Sequence, residues 1–277
     1  MRITVIIISY KVPFFLEQCL ASVRAAIAAG DIPVEIIVVD NAPGDGSLDY
    51  LKPRFPEVRF LEPGENLGFG KANNLAWKAA NGQHIVFLNP DTLIPESFFT
   101  ESLAFLEKTP QAGALGYRMI DGSGCFLPES KRGFPTIWAS FCKMTGIWSI
   151  FPKNRLFSGY YQGFLPENRP NPVPVLSGAA LWVRRELLEK TGGFDEAFFL
   201  YAEDIDLSHQ LTLSGYQNWY FPEITLLHFK GESSRKSPEH YRNFYGAMAV
   251  FVKKYRKSHF PALSAPLLLF MIWLQGR

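Results

Sequence analysis

Cysteine is scarce and scattered: Cys19, Cys125 and Cys142 are the only three in 277 residues. They form no CxxC pair, which excludes a zinc site or a disulfide framework and leaves them as packing residues suited to a reducing compartment. An excess of one charge is also missing. With 28 Lys and Arg against 26 Asp and Glu, no global field recruits nucleic acid, and any charged partner must be met locally. No internal repeat or low-complexity linker is visible. The opening MRITVIIISYKVPFF has no small-residue cleavage site after its short apolar run, so it reads as a first strand rather than a signal peptide. The N-terminal end therefore looks cytosolic. The turn after that strand, SYKVPFF, lacks glycine, which argues against both a dinucleotide fingerprint and the Gly-rich basic loop of a nucleotidyltransferase.

What the chain does have is apolar material, 47% of its residues, enough for a sizeable core. Its order is regular as far as about Ala112. Strands are expected at Ile3 to Ser9, Val34 to Asp40, Val58 to Leu61 and His84 to Asn89. Helices are expected between them at Phe14 to Ala29, Ser47 to Phe55 and Gly70 to Ala80, and after them at Pro95 to Lys108. Such alternation predicts an α/β fold with a mostly parallel sheet covered by helices on both faces. Beyond Ala112 lie an aromatic-rich stretch, SKRGFPTIWASFCKMTGIW, and a loop rich in Pro and Gly from Phe151 to Pro174. Order resumes with a strand at Gly178 to Val183 and helices near Arg185 to Thr191 and Glu203 to Leu213. Short strands at Gln217 to Tyr220 and Thr225 to Leu227 follow, then a helix from Pro238 to Lys257.

Ligands of parallel α/β sheets bind outside the carboxyl ends of the strands. Ser9-Tyr10, Asp40-Asn41 and Asn89-Pro90-Asp91 fall there, while the strand interiors are uncharged. Asp40 with Asn41 could pair with a base edge or cap the following turn. In ENLGFGKANNLAW, Gly68 and Gly70 allow close backbone approach at a helix start, although such turns also begin ordinary helices. Pro90 stops the strand and fixes Asp91, which could hold a Mg²⁺ or Mn²⁺ ion on a diphosphate or cap the next helix. Glu203, Asp204 and Asp206 crowd a helix start behind the apolar approach Phe198-Phe199-Leu200-Tyr201. Acids are ordinary at a helix start, but burial makes a carboxylate a better base. His228 could be a metal ligand, a phosphate-side donor or a core residue.

Taken together and in this order, VIIISYKVPFFLEQCLASV, IIVVDNAPGDGS, NLGFGKANNLA, IVFLNPDT, VLSGAALWVRRELLEKTGGFDEAFFLYAEDIDLSHQL and LLHFKGESS resemble the family 2 glycosyltransferases, especially the rhamnosyltransferase-like branch. The resemblance implies a GT-A fold, Rossmann-like with added C-terminal helices, and inverting transfer of a sugar from a dTDP- or UDP-linked donor. Ser9, Tyr10, Asp40, Asn41, Asn66, Gly68, Asn73, Asn89 and Asp91 then match the donor side. Asp91 ends the family's DxD motif, whose first acid is replaced by Asn89, and His228 matches a residue near the metal or diphosphate. Asp204 matches the catalytic base, with Glu203 beside it.

The resemblance divides the chain into a nucleotide-sugar half, 1–110, an acceptor and catalytic half of the same domain, 111–234, and C-terminal helices, 235–277. Lys131, Arg132, Trp138, Phe141 and Trp148 lie where acceptor loops fall, and a lipid-linked or glycan acceptor of bacterial surface polysaccharide is expected. The apolar run Ala265 to Leu274 behind Lys253, Lys254, Arg256 and Lys257 is shorter than the ~20 residues of a membrane span. It reads as a helix at the inner membrane surface or one packed on the core. A non-catalytic sugar-nucleotide-binding subunit is the competing reading, in which Glu203 and Asp204 would be dispensable.

Overall fold

A computed structural model describes residues 2–231 and 238–256. Continuous apolar runs build its sheet, buried on both faces. Along the first strand, β1 (Ile3–Ser9), Ile3, Val5 and Ile7 face one core and Ile6 and Ile8 the other. The second strand, β2 (Val34–Asp40), divides Ile36 and Val38 from Ile37 and Val39 in the same way. Helices α1 (Pro13–Gly30) and α4 (Phe98–Lys108) cover the first face through Leu16, Leu20, Phe98 and Phe99. Helices α3 (Phe69–Ala79), α7 (Arg185–Thr191) and α8 (Glu203–Leu213) cover the second through Ala72, Ala76, Leu187 and Leu207. The short α2 (Ser47–Leu51) follows β2.

The sheet has nine strands. With β3 (Arg59–Leu61), β4 (His84–Leu88), β5 (Thr92–Leu93), β6 (Ala112–Ile120), β8 (Ala180–Arg184) and β9 (Gln217–His228), the order is β3-β2-β1-β4-β8-β6-β9-β5, and β7 (Asn171–Pro172) pairs with β9. The first four strands are parallel, as the alternation predicts. From β8 onward the sheet is mixed: β8 runs antiparallel to both β4 and β6, while β6 and β9 are parallel. The chain reaches β8 through a long irregular segment rather than a single crossover helix, so the constraint that keeps βαβ units parallel does not apply.

Two expected short strands near residues 217–227 are one strand, β9, whose register against β6 jumps from Phe221 to Thr225. Pro222 lies in that gap and has no N–H to give a ladder. The aromatic stretch is helical in part, as α5 (Ile137–Met144) and α6 (Ile147–Ile150).

The final helix, α9 (Pro238–Tyr255), packs Ala247, Phe251, Val252 and Tyr255 on Phe198, Tyr201, Ala202 and Ile205. Lys254 of the expected basic cluster pairs with Asp195 and Asp206, each at 2.6 Å, and Tyr255 donates to Asp206 at 2.6 Å. These contacts fix α9 to the start of α8. The apolar run Ala265 to Leu274, with its expected membrane contact, lies outside the described residues. Among the described residues no helix is long and apolar enough to cross a membrane.

Candidate active site

The parallel strands deliver their ends to one edge. Ser9 and Asp40 are register partners on β1 and β2, and the Asn41 amide N–H donates to the Ser9 carbonyl at 2.8 Å. Asp40 is buried and accepts the Ala42 N–H at 3.1 Å; burial is the main reason its carboxyl titrates above the usual range. The Asn41 side chain is committed internally. Its Oδ1 accepts from Leu67 N–H at 2.9 Å and its Nδ2 donates to the Gly68 carbonyl at 3.2 Å. Asn41 thus pins the loop that Asn66 turns by accepting the Gly68 N–H at 2.9 Å. Of the expected base-edge pair, only Asp40 keeps a side-chain acceptor oxygen, Oδ2, beyond these bonds, and Tyr10, the residue after Ser9, is exposed.

The Gly-rich turn approaches the chain itself. Gly68 has φ +76°, and a Cβ there would lie 2.5 Å from the Phe199 carbonyl, which instead accepts the Phe69 N–H at 2.8 Å. Along α3, Asn73 donates to the Phe69 carbonyl at 3.0 Å. Asn74, fully engaged, donates to the Phe194 carbonyl at 2.8 Å and to Glu196 at 3.0 Å and accepts from Phe194 N–H and Trp77. The start of α3 is therefore a seat for residues 194–199, the approach to the acidic helix.

That approach ends in two consecutive left-handed residues, Tyr201 (φ 73°) and Ala202 (φ 66°). Neither is glycine, so each carries strain of about 1–2 kcal/mol, held by the α9 packing. The turn aims Glu203 and Asp204 in different directions. Glu203 is buried, its Oε2 has no hydrogen-bond partner among the described residues, and burial, then the Asp204 charge, push its carboxyl up to about 8. The protonated form is thereby favoured. Asp204 Oδ2 accepts from Gly178 N–H at 3.0 Å and from Arg132 Nη2 at 2.5 Å, and Oδ1 accepts from Ile205 N–H at 2.8 Å. Each carboxylate oxygen can take about two donors, so Oδ1 retains room for one more. The side chains of Arg132 and Asp204 are 12% and 15% exposed, a shielded pair at the margin of the site.

The basic pair expected on the acceptor side is turned inward. Lys131 is buried and donates to the Gln162 and Leu165 carbonyls, both at 2.9 Å. Arg132 also holds the Leu176 carbonyl at 2.7 Å. Trp138 is exposed and donates to Leu156. Two residues not picked out from the sequence complete the Asp204 cradle. Gly178 lets the carboxylate close in, since a Cβ there would sit 3.2 Å from Asp204 Cβ, and Ala179 accepts from Asn89 N–H at 2.8 Å. Asp204 is thereby linked through Gly178 and Ala179 to the Asn89-Pro90-Asp91 turn.

On that turn Asp91 is fully buried, and its Oδ1 lies 3.3 Å from His228 Nε2. The Asp91 carbonyl accepts from Phe229 N–H at 2.9 Å, and Thr92 is the register partner of His228, so β5 and β9 bring the two together. No group of three or more metal-ligating side chains occurs among the described residues. A carboxylate and an imidazole fit a Mg²⁺ or Mn²⁺ ion that takes its other ligands from a diphosphate and water.

Comparison with known proteins gives the chain its place. Residues 4–192 match the family described as glycosyl transferase family 2. The chain is 32% identical over 245 residues to N-acetylglucosaminyl-diphospho-decaprenol L-rhamnosyltransferase of Mycobacterium tuberculosis, covering 84% of this chain and 78% of that one. It is 26% identical over 242 residues to rhamnosyltransferase WbbL of Escherichia coli, covering 83% and 84%. In fold it is similar to a crystal structure of S. aureus TarS 1–349, with TM-score 0.61, 18% identity and coverage of 97% and 69%. It is similar also to the mannosyltransferase PcManGT of Pyrobaculum calidifontis, solved with GDP-Man and Mn²⁺, with TM-score 0.62, 20% identity and coverage of 99% and 69%. A GT-A sheet with acids at its strand ends, a sequence matched from β1 through α7 and relatives over most of its length lead to one conclusion: the chain belongs to glycosyl transferase family 2 and is a glycosyltransferase.

Proposed function

We propose that this enzyme transfers a rhamnosyl group from a dTDP- or UDP-linked donor to a lipid-linked acceptor at the inner face of the cell membrane, with inversion at the anomeric carbon. Rhamnose is supported by the two rhamnosyltransferase relatives, one of which is named for a diphospho-decaprenol acceptor. The observation that carries the mechanism is the Asp204 cradle, joined through Gly178 and Ala179 to the Asp91 turn.

In this reading Asp40 meets the base, and the Asp91 edge receives the diphosphate. The acceptor hydroxyl approaches Asp204 Oδ1. Its oxygen bonds to the anomeric carbon from the face opposite the diphosphate, the carbon–phosphate-oxygen bond breaks, and the hydroxyl proton passes to Asp204. Arg132 and Gly178 orient the carboxylate and keep its charge in place. Neutral Glu203 keeps a second negative charge away from Asp204. Asp91 and His228 would hold a divalent cation, which when bound supplies positive charge for the departing diphosphate.

Thermal shift against dTDP-, UDP- and GDP-sugars, with and without Mn²⁺, tests the donor assignment. A dTDP- or UDP-sugar should raise Tm, and more so with Mn²⁺. No response to any sugar nucleotide, or a response to GDP-sugars alone, would contradict it.

A further inference from the structure

Surface helices normally turn polar residues outward, and α5 does the reverse. Its inner side buries Ala139 and Cys142, yet its outer side shows Trp138, Phe141 and Met144, each one turn apart. No residue of α6 is buried, its last residue Ile150 is exposed, and Phe151 and Leu156 stand out beyond it. These six large apolar side chains are 45% to 69% exposed. Four of them are linked: Trp138 stacks on Phe141 at 5.6 Å and meets Phe157 at 6.2 Å, Phe157 meets Phe151 at 5.2 Å, and the Trp138 indole donates to the Leu156 carbonyl at 2.8 Å. An exposed patch of this kind marks an interaction site.

Charge identifies the partner. From Lys131 to Pro166 the sequence has Lys131, Arg132, Lys143, Lys153 and Arg155 and not one Asp or Glu. Lys131 and Arg132 are used internally, but Lys153 and Arg155 are exposed among the apolar side chains, and Lys143 lies over the Tyr160 ring at 3.9 Å. A second copy of this surface would set cations against cations with no acid in the segment to pair them. Apolar anchors, amphipathic Trp and Tyr rings and unopposed basic residues match an anionic bilayer surface.

The patch is fastened to the catalytic carboxylate. Arg132, six residues before Trp138, holds Asp204, Gly133 N–H donates to the Tyr160 carbonyl at 2.8 Å, and Lys131 grips Gln162 and Leu165. We propose that residues 137–161 are a docking element for anionic membranes that seats Asp204 at headgroup level. The lipid-linked acceptor proposed above gives this placement its purpose, but the docking itself needs no acceptor.

The test uses the full chain with Cys125→Ser and a nitroxide on Ile150→Cys, compared with an exposed control label on Gln111→Cys just before β6. Vesicles are phosphatidylglycerol–phosphatidylcholine mixtures or phosphatidylcholine alone, without acceptor. On anionic vesicles the label at 150 should gain oxygen accessibility and lose contact with a water-soluble nickel relaxant, while the label at 111 stays in water. The combined Phe141→Ser, Ile150→Ser and Leu156→Ser substitutions should weaken vesicle binding by about tenfold or more and leave donor affinity unchanged. Vesicle-bound protein with position 150 still in water would overturn the proposal, because another segment would then carry the contact. A dimer in solution that buries position 150 would overturn it as well. Neither result would touch the sugar-transfer reading, which is measured by donor binding and product formation.

Discussion

The proposed donor edge and the proposed catalytic edge of this sheet are built in opposite ways. Ser9, Asp40 and Asp91 come from three neighbouring parallel strands, each placed by its own βαβ unit. The Asp204 cradle instead gathers segments that are far apart in the chain: Arg132 reaches across 72 residues and Gly178 across 26, and the turn that aims Asp204 is held by α3 and α9. Repetitive local structure suffices to place the side chains of the proposed donor site. The proposed base depends on long-range contacts, and their loss should be felt in both stability and rate.

The contrast can be broken first at Arg132. Arg132→Met leaves the Asp204 charge shielded and unpaired, which should cost about 3–5 kcal/mol of unfolding free energy and reduce turnover, while the parallel strands still hold the donor edge. Urea unfolding beside donor titration checks both, and a loss below about 1 kcal/mol would mean the pair behaves as a solvated surface bridge. Gly68→Ala perturbs the contact between the two edges. A left-handed alanine costs about 1–2 kcal/mol, with a further cost because its Cβ would overlap the Phe199 carbonyl. Unchanged stability would show that Phe199 does not bear on this turn.

Glu203→Gln sharpens the comparison through pH. The Glu203 carboxyl is raised to about 8 in the folded chain from an ordinary value near 4.5, so the folded state holds a proton that the unfolded state releases. Wild-type stability should fall across roughly pH 4.5 to 8 with a slope of up to about 1.4 kcal/mol per pH unit from this group, then level off. The Gln variant lacks that slope, so its advantage should grow through the same window. Parallel curves for the two proteins would show that Glu203 is not held neutral.

The same contrast explains what the sequence disclosed. Continuous apolar runs located β1, β2 and β4, and hence Asp40 and Asp91 at or just past their ends, because a strand buried on both faces is apolar throughout. The acidic helix start at Glu203 and Asp204 stood out by composition. Hidden were Gly178 and Asn74, whose roles exist only through partners elsewhere in the fold, and the inward turn of Lys131 and Arg132, whose place in the chain put them with the acceptor loops. Asn41 misled for a related reason: an amide fits a base edge and a buried loop equally well, and the loop at Leu67 and Gly68 takes both its ends. The mixed strand directions after β6 were also hidden, since a long loop records no direction of return.

The central claim, that Asp204 takes the acceptor proton, is tested most directly by single-turnover transfer at saturating donor with Asp204→Asn and, as its control, Glu203→Gln. Asparagine preserves shape and can still accept from Gly178 and Arg132 but cannot take the proton as a carboxylate does. Asp204→Asn should slow the chemical step by ~10²–10⁴-fold with donor affinity essentially unchanged, and Glu203→Gln should slow it far less. An Asp204→Asn enzyme that folds, binds donor and transfers sugar at a near wild-type rate would contradict the account and move the search for the base to its neighbours.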